Sequence, residues 1–137
     1  MRVFLDTNVL AGAVTTRGLC ADLFREIIAS HQLILSEAVI EELQRVLNDK
    51  FRLPEAIIDE YIWLLRQDTL IVGEDNLAHL DFEDKSDIPI LGAASKAKAD
   101  VFITGDKDMQ QLLKIGDTAI HSPRSFWEFL STLEQND

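Results

Sequence analysis

The chain has 137 residues, 47% hydrophobic and 27% charged, with only 6 Gly, 3 Pro and 1 Cys. That length and balance imply one compact domain over residues 1–137. They exclude a disulfide-stapled miniature, a Cys-rich zinc site and a disordered or fibrous chain. Lys and Arg number 13 against 24 Asp and Glu, a formal charge of −11, so the protein repels nucleic acid and anionic membranes at long range. Any nucleic-acid role needs a local basic patch or bound cations.

Asp6 interrupts the N-terminal apolar run, and no later stretch approaches the ~20 apolar residues that a membrane helix needs. The expectation is a cytoplasmic protein with no membrane partner. Short apolar runs alternate with longer segments of helical period, the pattern of a parallel sheet covered by helices. Val3-Phe4-Leu5 reads as the first strand. Leu19, Leu23, Ile27 and Ile28 then share one face of a single crossover helix leading to a second strand, Leu33-Ile34-Leu35. Ser36 can cap the next helix, striped by Val39, Ile40, Leu43, Val46 and Leu47. Pro54 suits the first turn of another, in which Ile57, Ile58, Tyr61, Leu64 and Leu65 recur at helical spacing, and Leu70-Ile71-Val72 is the third strand. From Glu74 to Asp87 six acids stand against Lys85 without a clear period, which reads as a loop. Ile90, Leu91 and Ala94 begin a small-residue helix, and Val101-Phe102-Ile103 is the fourth strand. Met109, Leu112 and Leu113 mark a short helix, and Thr118-Ala119-Ile120 is the fifth strand. A last helix starts at Ser122-Pro123 and partly buries Phe126, Trp127, Phe129 and Leu130.

In an open parallel sheet, ligands bind at the carboxyl ends of the strands, where loops and helix starts converge. Asp6-Thr7-Asn8 leaves strand one, and Thr104-Gly105-Asp106 leaves strand four. Either Asp alone can be a helix or turn cap; two at one edge suggest a site. Glu41 falls opposite the apolar stripe of its helix, whereas Glu42 borders it, as a snorkelling acid or a functional one. Asp87 precedes Leu91 and Ala94 by four and seven residues and faces the core side of its helix start, where it can also cap. If Asp6, Glu42, Asp87 and Asp106 converge, their like charges demand protons or cations. With no His or Cys near them, these hard oxygen ligands suit Mg²⁺ or Mn²⁺ rather than zinc. Two such ions support in-line displacement at phosphorus, so phosphodiester hydrolysis is the chemistry that follows.

These segments carry a resemblance. Asp6-Thr7-Asn8-Val9-Leu10, Leu35-Ser36-Glu37 through Glu42-Leu43 and Val46-Leu47, Asp87 ahead of Leu91 and Ala94, and Ala99-Asp100 through Thr104-Gly105-Asp106-Lys107-Asp108 look like the PIN domain, in the expected order across nearly the whole chain. The resemblance implies a three-layer α/β/α sandwich on a central parallel five-stranded sheet of order 3-2-1-4-5, which sets Asp6 beside Asp106. It implies metal-binding roles for Asp6, Glu42, Asp87 and Asp106, and an accessory metal role for Asp108. It also implies that Thr7, Asn8 and Thr104 orient acids and water through hydrogen bonds. The surroundings of Glu42 and Asp87 look most like the toxin components of toxin–antitoxin pairs. That implies a metal-dependent ribonuclease with an RNA substrate, a small antitoxin partner and a homodimeric state, in which Tyr61, Trp63 or Trp127 can serve the interface.

The chain departs from an RNA-binding protein in lacking a strong basic stripe; Arg45, Lys50 and Arg52, then Lys96 and Lys98, then Lys107 and Lys114 form loose groups. A catalytically weak, partner-binding version of the same fold is the main alternative. A haloacid-dehalogenase-like phosphatase also opens with an Asp after strand one, but wants a second Asp where this chain has Asn8. A response-regulator receiver wants a phosphoacceptor Asp after strand three, which Val72-Gly73-Glu74 does not supply.

Overall fold

The computed structural model describes residues 1–73 and 88–135. Strands β1 (Arg2–Leu5), β2 (Gln32–Ser36) and β4 (Val101–Ile103) form the middle of the sheet. Their apolar runs do not alternate with polar residues, because a central parallel strand is covered on both faces. Val3, Phe4, Leu5, Leu33, Ile34, Leu35, Val101, Phe102 and Ile103 are all buried. β3 (Leu70–Val72) lies outside β2, and β6 (Thr118–His121) lies outside β4. All four of these pairings are parallel, and Phe4 pairs with both Ile34 and Phe102 in register.

The expected strand order 3-2-1-4-5 therefore holds, its fifth strand being β6. A further two-residue strand, β5 (Lys114–Ile115), pairs antiparallel on the far edge, giving the order β3-β2-β1-β4-β6-β5. Leu112 and Leu113 do not extend the helix expected there. Helix α6 (Lys107–Gln111) stops because Leu113 turns into the left-handed region (φ 64°), and the chain doubles back through Gly116 (φ 56°), a residue free of the Cβ penalty.

Two helices, rather than one, join β1 to β2. Helix α1 (Thr7–Thr15) precedes α2 (Leu19–Ser30), with Thr16 extended between them. Its Thr, Asn and Gly content conceals it from a periodicity reading. Burial of Val9, Leu10 and Ala11 and the Asp6 cap sustain it. Ile28, expected on the inner face of α2, is exposed. Helices α3 (Glu37–Asp49) and α4 (Glu55–Gln67) join β2 to β3. The α3 stripe is as expected, with Val39, Ile40, Leu43 and Leu47 buried and Val46 half-buried. On α4 the buried face is Ile58, Ile62 and Leu65, while Ile57 and Leu64 face out, and Pro54 is the cap rather than a first-turn residue. Two apolar faces compete on that helix, and packing against α3 decides between them. Helix α5 (Ile88–Lys96) leads to β4, and α7 (Pro123–Gln135) closes the chain against α2 and β6.

The right-handed crossover rule puts α1–α4, between β1, β2 and β3, on one face of the sheet and α5, between β3 and β4, on the other, and α1 packs on α2 and α3, and α3 on α4. The core forms between, with Phe4 stacked on Phe102 at 5.4 Å. Ser36 ends β2 and caps α3 by accepting from the Val39 amide at 3.2 Å. Ser36→Ala should cost about 1 kcal/mol in urea denaturation, the usual value of such a cap. An unchanged midpoint would remove this cap from the energetics.

Candidate active site at the carboxyl edge

Because β1, β4 and β6 are parallel neighbours, the residues that follow each of them meet at one edge. Asp6 follows β1 and is 8% exposed. Its amide donates to the Ile103 carbonyl at 3.0 Å, which carries the β1–β4 ladder one residue beyond the strand. Its two carboxylate oxygens are divided. Oδ1 accepts from the Thr7 amide at 2.8 Å, capping α1, and Oδ2 accepts from the Thr104 hydroxyl at 2.7 Å.

Thr104, fully buried after β4, also accepts from the Asp106 amide at 3.0 Å. One hydroxyl thus ties the two acids of neighbouring strands together. Its proton has a carboxylate to point to, and the incoming N–H fixes the rotor. Asp106 caps α6, with Oδ1 accepting from the Asp108 and Met109 amides at 2.8 and 3.2 Å.

Glu42 arrives from α3 and is half-buried. Its Oε2 accepts from the buried Thr7 hydroxyl at 3.1 Å, linking the second acid element to the residue after Asp6. Glu41 points to solvent, as its place on the helix wheel requires.

Burial pushes the Asp6 carboxyl above its ordinary value. The bonds from Thr104 and Thr7 oppose this, and the charges of Glu42 and Asp106 add to the rise. Asp6, Glu42 and Asp106 therefore share one electrostatic neighbourhood centred on Asp6. Among the described residues, no three acidic, His or Cys side chains close into a single metal-sized cluster. Thr7 holds Glu42, and the α6 cap holds Asp106. Asp108 and Asn8 stand exposed on the first turns of α6 and α1. Asp87 lies outside the described residues.

Asp6 and Asp106 each cap a helix, and both stand at the ends of neighbouring strands. Gln110 escaped the sequence reading. Its side-chain amide donates to the Thr104 carbonyl at 2.8 Å and braces the end of β4 from within α6. Its position four residues after Asp106 was the available signal.

Comparison with known proteins agrees with this architecture. No curated protein matches the sequence significantly. A chain of VapBC2 from Rickettsia felis, solved bound to a DNA fragment from their promoter, superposes with a TM-score of 0.62 at 14% identity, covering 89% of this chain and 98% of that one. VapBC-1 from nontypeable Haemophilus influenzae gives 0.63 at 17%, covering 90% and 99%. FitAcB from Neisseria gonorrhoeae gives 0.58 at 17%, covering 89% and 98%. At these identities the likeness is one of fold. The sequence model of the PIN domain matches residues 2–108, which takes in β1 through the start of α6, and on that match the chain belongs to the PIN domain family.

Proposed function

We propose that this protein is a ribonuclease dependent on Mg²⁺ or Mn²⁺, hydrolysing RNA phosphodiester bonds at Asp6, Glu42, Asp87 and Asp106, with Asp108 accessory. One observation carries the reading. Asp6 is buried with a raised pKa at the junction of two strands, and Glu42 and Asp106 contribute to that rise. An acid kept in so unfavourable a place is compensated when a cation is bound.

The donor set fits such an ion. Every group at this edge is a hard oxygen, and each Asp6 oxygen has one protein donor and lone pairs to spare. Mg²⁺ typically uses one or two carboxylates and keeps several waters, so three converging acids are not required. When bound, the ion supplies activation of the attacking water and neutralisation of the leaving oxygen in an in-line displacement at phosphorus.

The chain's own residues do the positioning. Thr104 orients the Asp6 carboxylate, Thr7 orients Glu42, and Asn8 lies exposed one residue further along α1 for contact with water or substrate. The α1 start adds a favourable partial charge beside Asp6.

The proposal extends to partners. The similar solved chains belong to VapBC and FitAB assemblies, which supports a toxin of a toxin–antitoxin pair, held in check by a small antitoxin protein. A homodimer is included. Of the aromatic residues considered for its interface, Trp63 is 61% exposed, whereas Tyr61 and Trp127 are half-buried. A single-domain, cytoplasmic protein remains part of this reading. Among the described residues, no helix is long and apolar enough to cross a membrane.

A mixed set of labelled RNAs should be cleaved in Mg²⁺ or Mn²⁺ and left intact in EDTA. Manganese binding without cleavage of any of them would favour the partner-binding alternative.

A further inference from the structure

Among the described residues, the helices that start at the acidic edge carry a cation in their first turn only at α6 and α7. On the β2 side, Glu37 follows the strand and is occupied by Arg66, whose two terminal nitrogens reach its two oxygens at 2.8 and 2.9 Å. That cation is cancelled. On the β4–β6 side, Lys107 opens α6 directly after Asp106, and Arg124 lies in the first turn of α7. Both are exposed, and neither forms an ion pair with a described residue, although Asp108 adjoins Lys107 and Glu128 lies one turn from Arg124.

Their backbones are anchored. The Asp106 cap fixes the α6 start. The Ser122 hydroxyl accepts from the Ser125 amide at 3.0 Å, and His121 Nδ1 hydrogen-bonds the Ser125 hydroxyl. Phe126 and Phe129 pack on the His121 ring, holding α7 to the end of β6. The Thr104 amide donates to the His121 carbonyl at 3.0 Å, tying these two helix starts to neighbouring strand ends. Strands in a sheet are about 4.8 Å apart, so β6 lies roughly 10 Å from β1. Lys107 follows the strand next to β1 by four residues, and Arg124 follows the strand beyond it by three.

We propose that Lys107 and Arg124 grip the phosphate backbone of single-stranded RNA as it leaves the acids across the β4–β6 side of the edge. The proposal rests on the ribonuclease reading and adds a direction to it. In a protein of net charge −11, a polyanion needs local cations, and these two stand just after neighbouring strand ends. Both residues act as positioning groups on the backbone, without reading bases.

The test is binding of a fluorescently labelled 20-nucleotide RNA to the Asp6→Asn protein in Mg²⁺, followed by anisotropy over a KCl series. Adding Lys107→Gln and Arg124→Gln together should weaken binding uniformly across RNA sequences. It should flatten the slope of log K against log salt by ~1.4, at ~0.7 per lost contact to a single strand. Lys107→Arg with Arg124→Lys should restore most of the slope, which a merely structural role would not do. Lys96→Gln with Lys98→Gln, just before β4 at the opposite edge, should leave it unchanged. An unaltered slope in the first double variant, or an equal loss in the second, overturns the proposal while the ribonuclease reading stands. Absence of RNA binding by the parent, together with absence of cleavage by the wild type, overturns both.

Discussion

Asp6→Asn is expected to lower metal-dependent RNA cleavage by more than ~100-fold, the upper end of what even an outer partner of a metal ligand contributes. The same change should leave the fold intact and more stable at neutral pH. Asn keeps an oxygen for the Thr7 amide, and its NH₂ can donate to the Thr104 hydroxyl, so both bonds have replacements. What disappears is a buried charge beside two others. The folded carboxyl is raised above its ordinary value of 3.8 by burial first, and further by Glu42 and Asp106. A raised folded pKa means that the native state holds this proton longer than the unfolded chain does. Its contribution to stability is then fully present below the unfolded value and is lost as pH rises through the folded one. Without metal, the melting temperature of the wild type should therefore fall relative to Asp6→Asn as pH climbs out of the acid range. Manganese should recover it in the wild type alone, since a ligand that binds only the native state stabilises it. A variant that cleaves like the wild type, or melts lower at neutral pH, would contradict this account of Asp6.

Phe102→Ala should be the most damaging core substitution, at about 3–5 kcal/mol, a large share of the ~5–15 kcal/mol that holds a domain together. Phe102 is fully buried on β4, stacked at 5.4 Å and 21° on Phe4, its register partner on β1. Two residues beyond each ring stand Thr104 and Asp6. A cavity here loosens the strand pair that sets the distance between them, so cleavage should fall together with stability. Urea denaturation of Phe102→Ala and the milder Phe102→Leu checks the first effect. Phe129→Ala, at a position 38% exposed, serves as the comparison and should cost far less. A loss below ~1 kcal/mol for Phe102→Ala would mean that the site collapses around the missing ring.

The legible parts of the fold are those with one dominant physical cause. Phe4, Ile34 and Phe102 sit in unbroken apolar runs that only a sheet covered on both faces accommodates, and they are its centre. Ser36 announced α3 because a hydroxyl before an amphipathic stripe has few other uses. Helix α1 stayed hidden, since tertiary burial of Val9 and Leu10 outweighs the weak propensity of Thr7, Asn8 and Gly12. On α4, Ile57 and Leu64 matched the helical period as well as Ile62 did, and periodicity alone cannot rank competing apolar faces. Leu113 misled because its left-handed backbone has no signature in a Leu-Leu pair.

At the site, the strand exits marked Asp6 and Asp106, and the border of the α3 stripe marked Glu42. The hydrogen bonds that join them through Thr104 and Thr7 depend on strand order, which spacing does not encode and which the family resemblance supplied.

The most direct measurement follows cleavage of labelled RNAs by the wild type and by the Asp6→Asn, Asp87→Asn double variant, each in Mg²⁺, Mn²⁺ and EDTA. The expected result is cleavage by the wild type in metal alone and none by the variant under any condition. Cleavage that survives EDTA, or that the double variant retains, would contradict a metal-dependent nuclease centred on these acids.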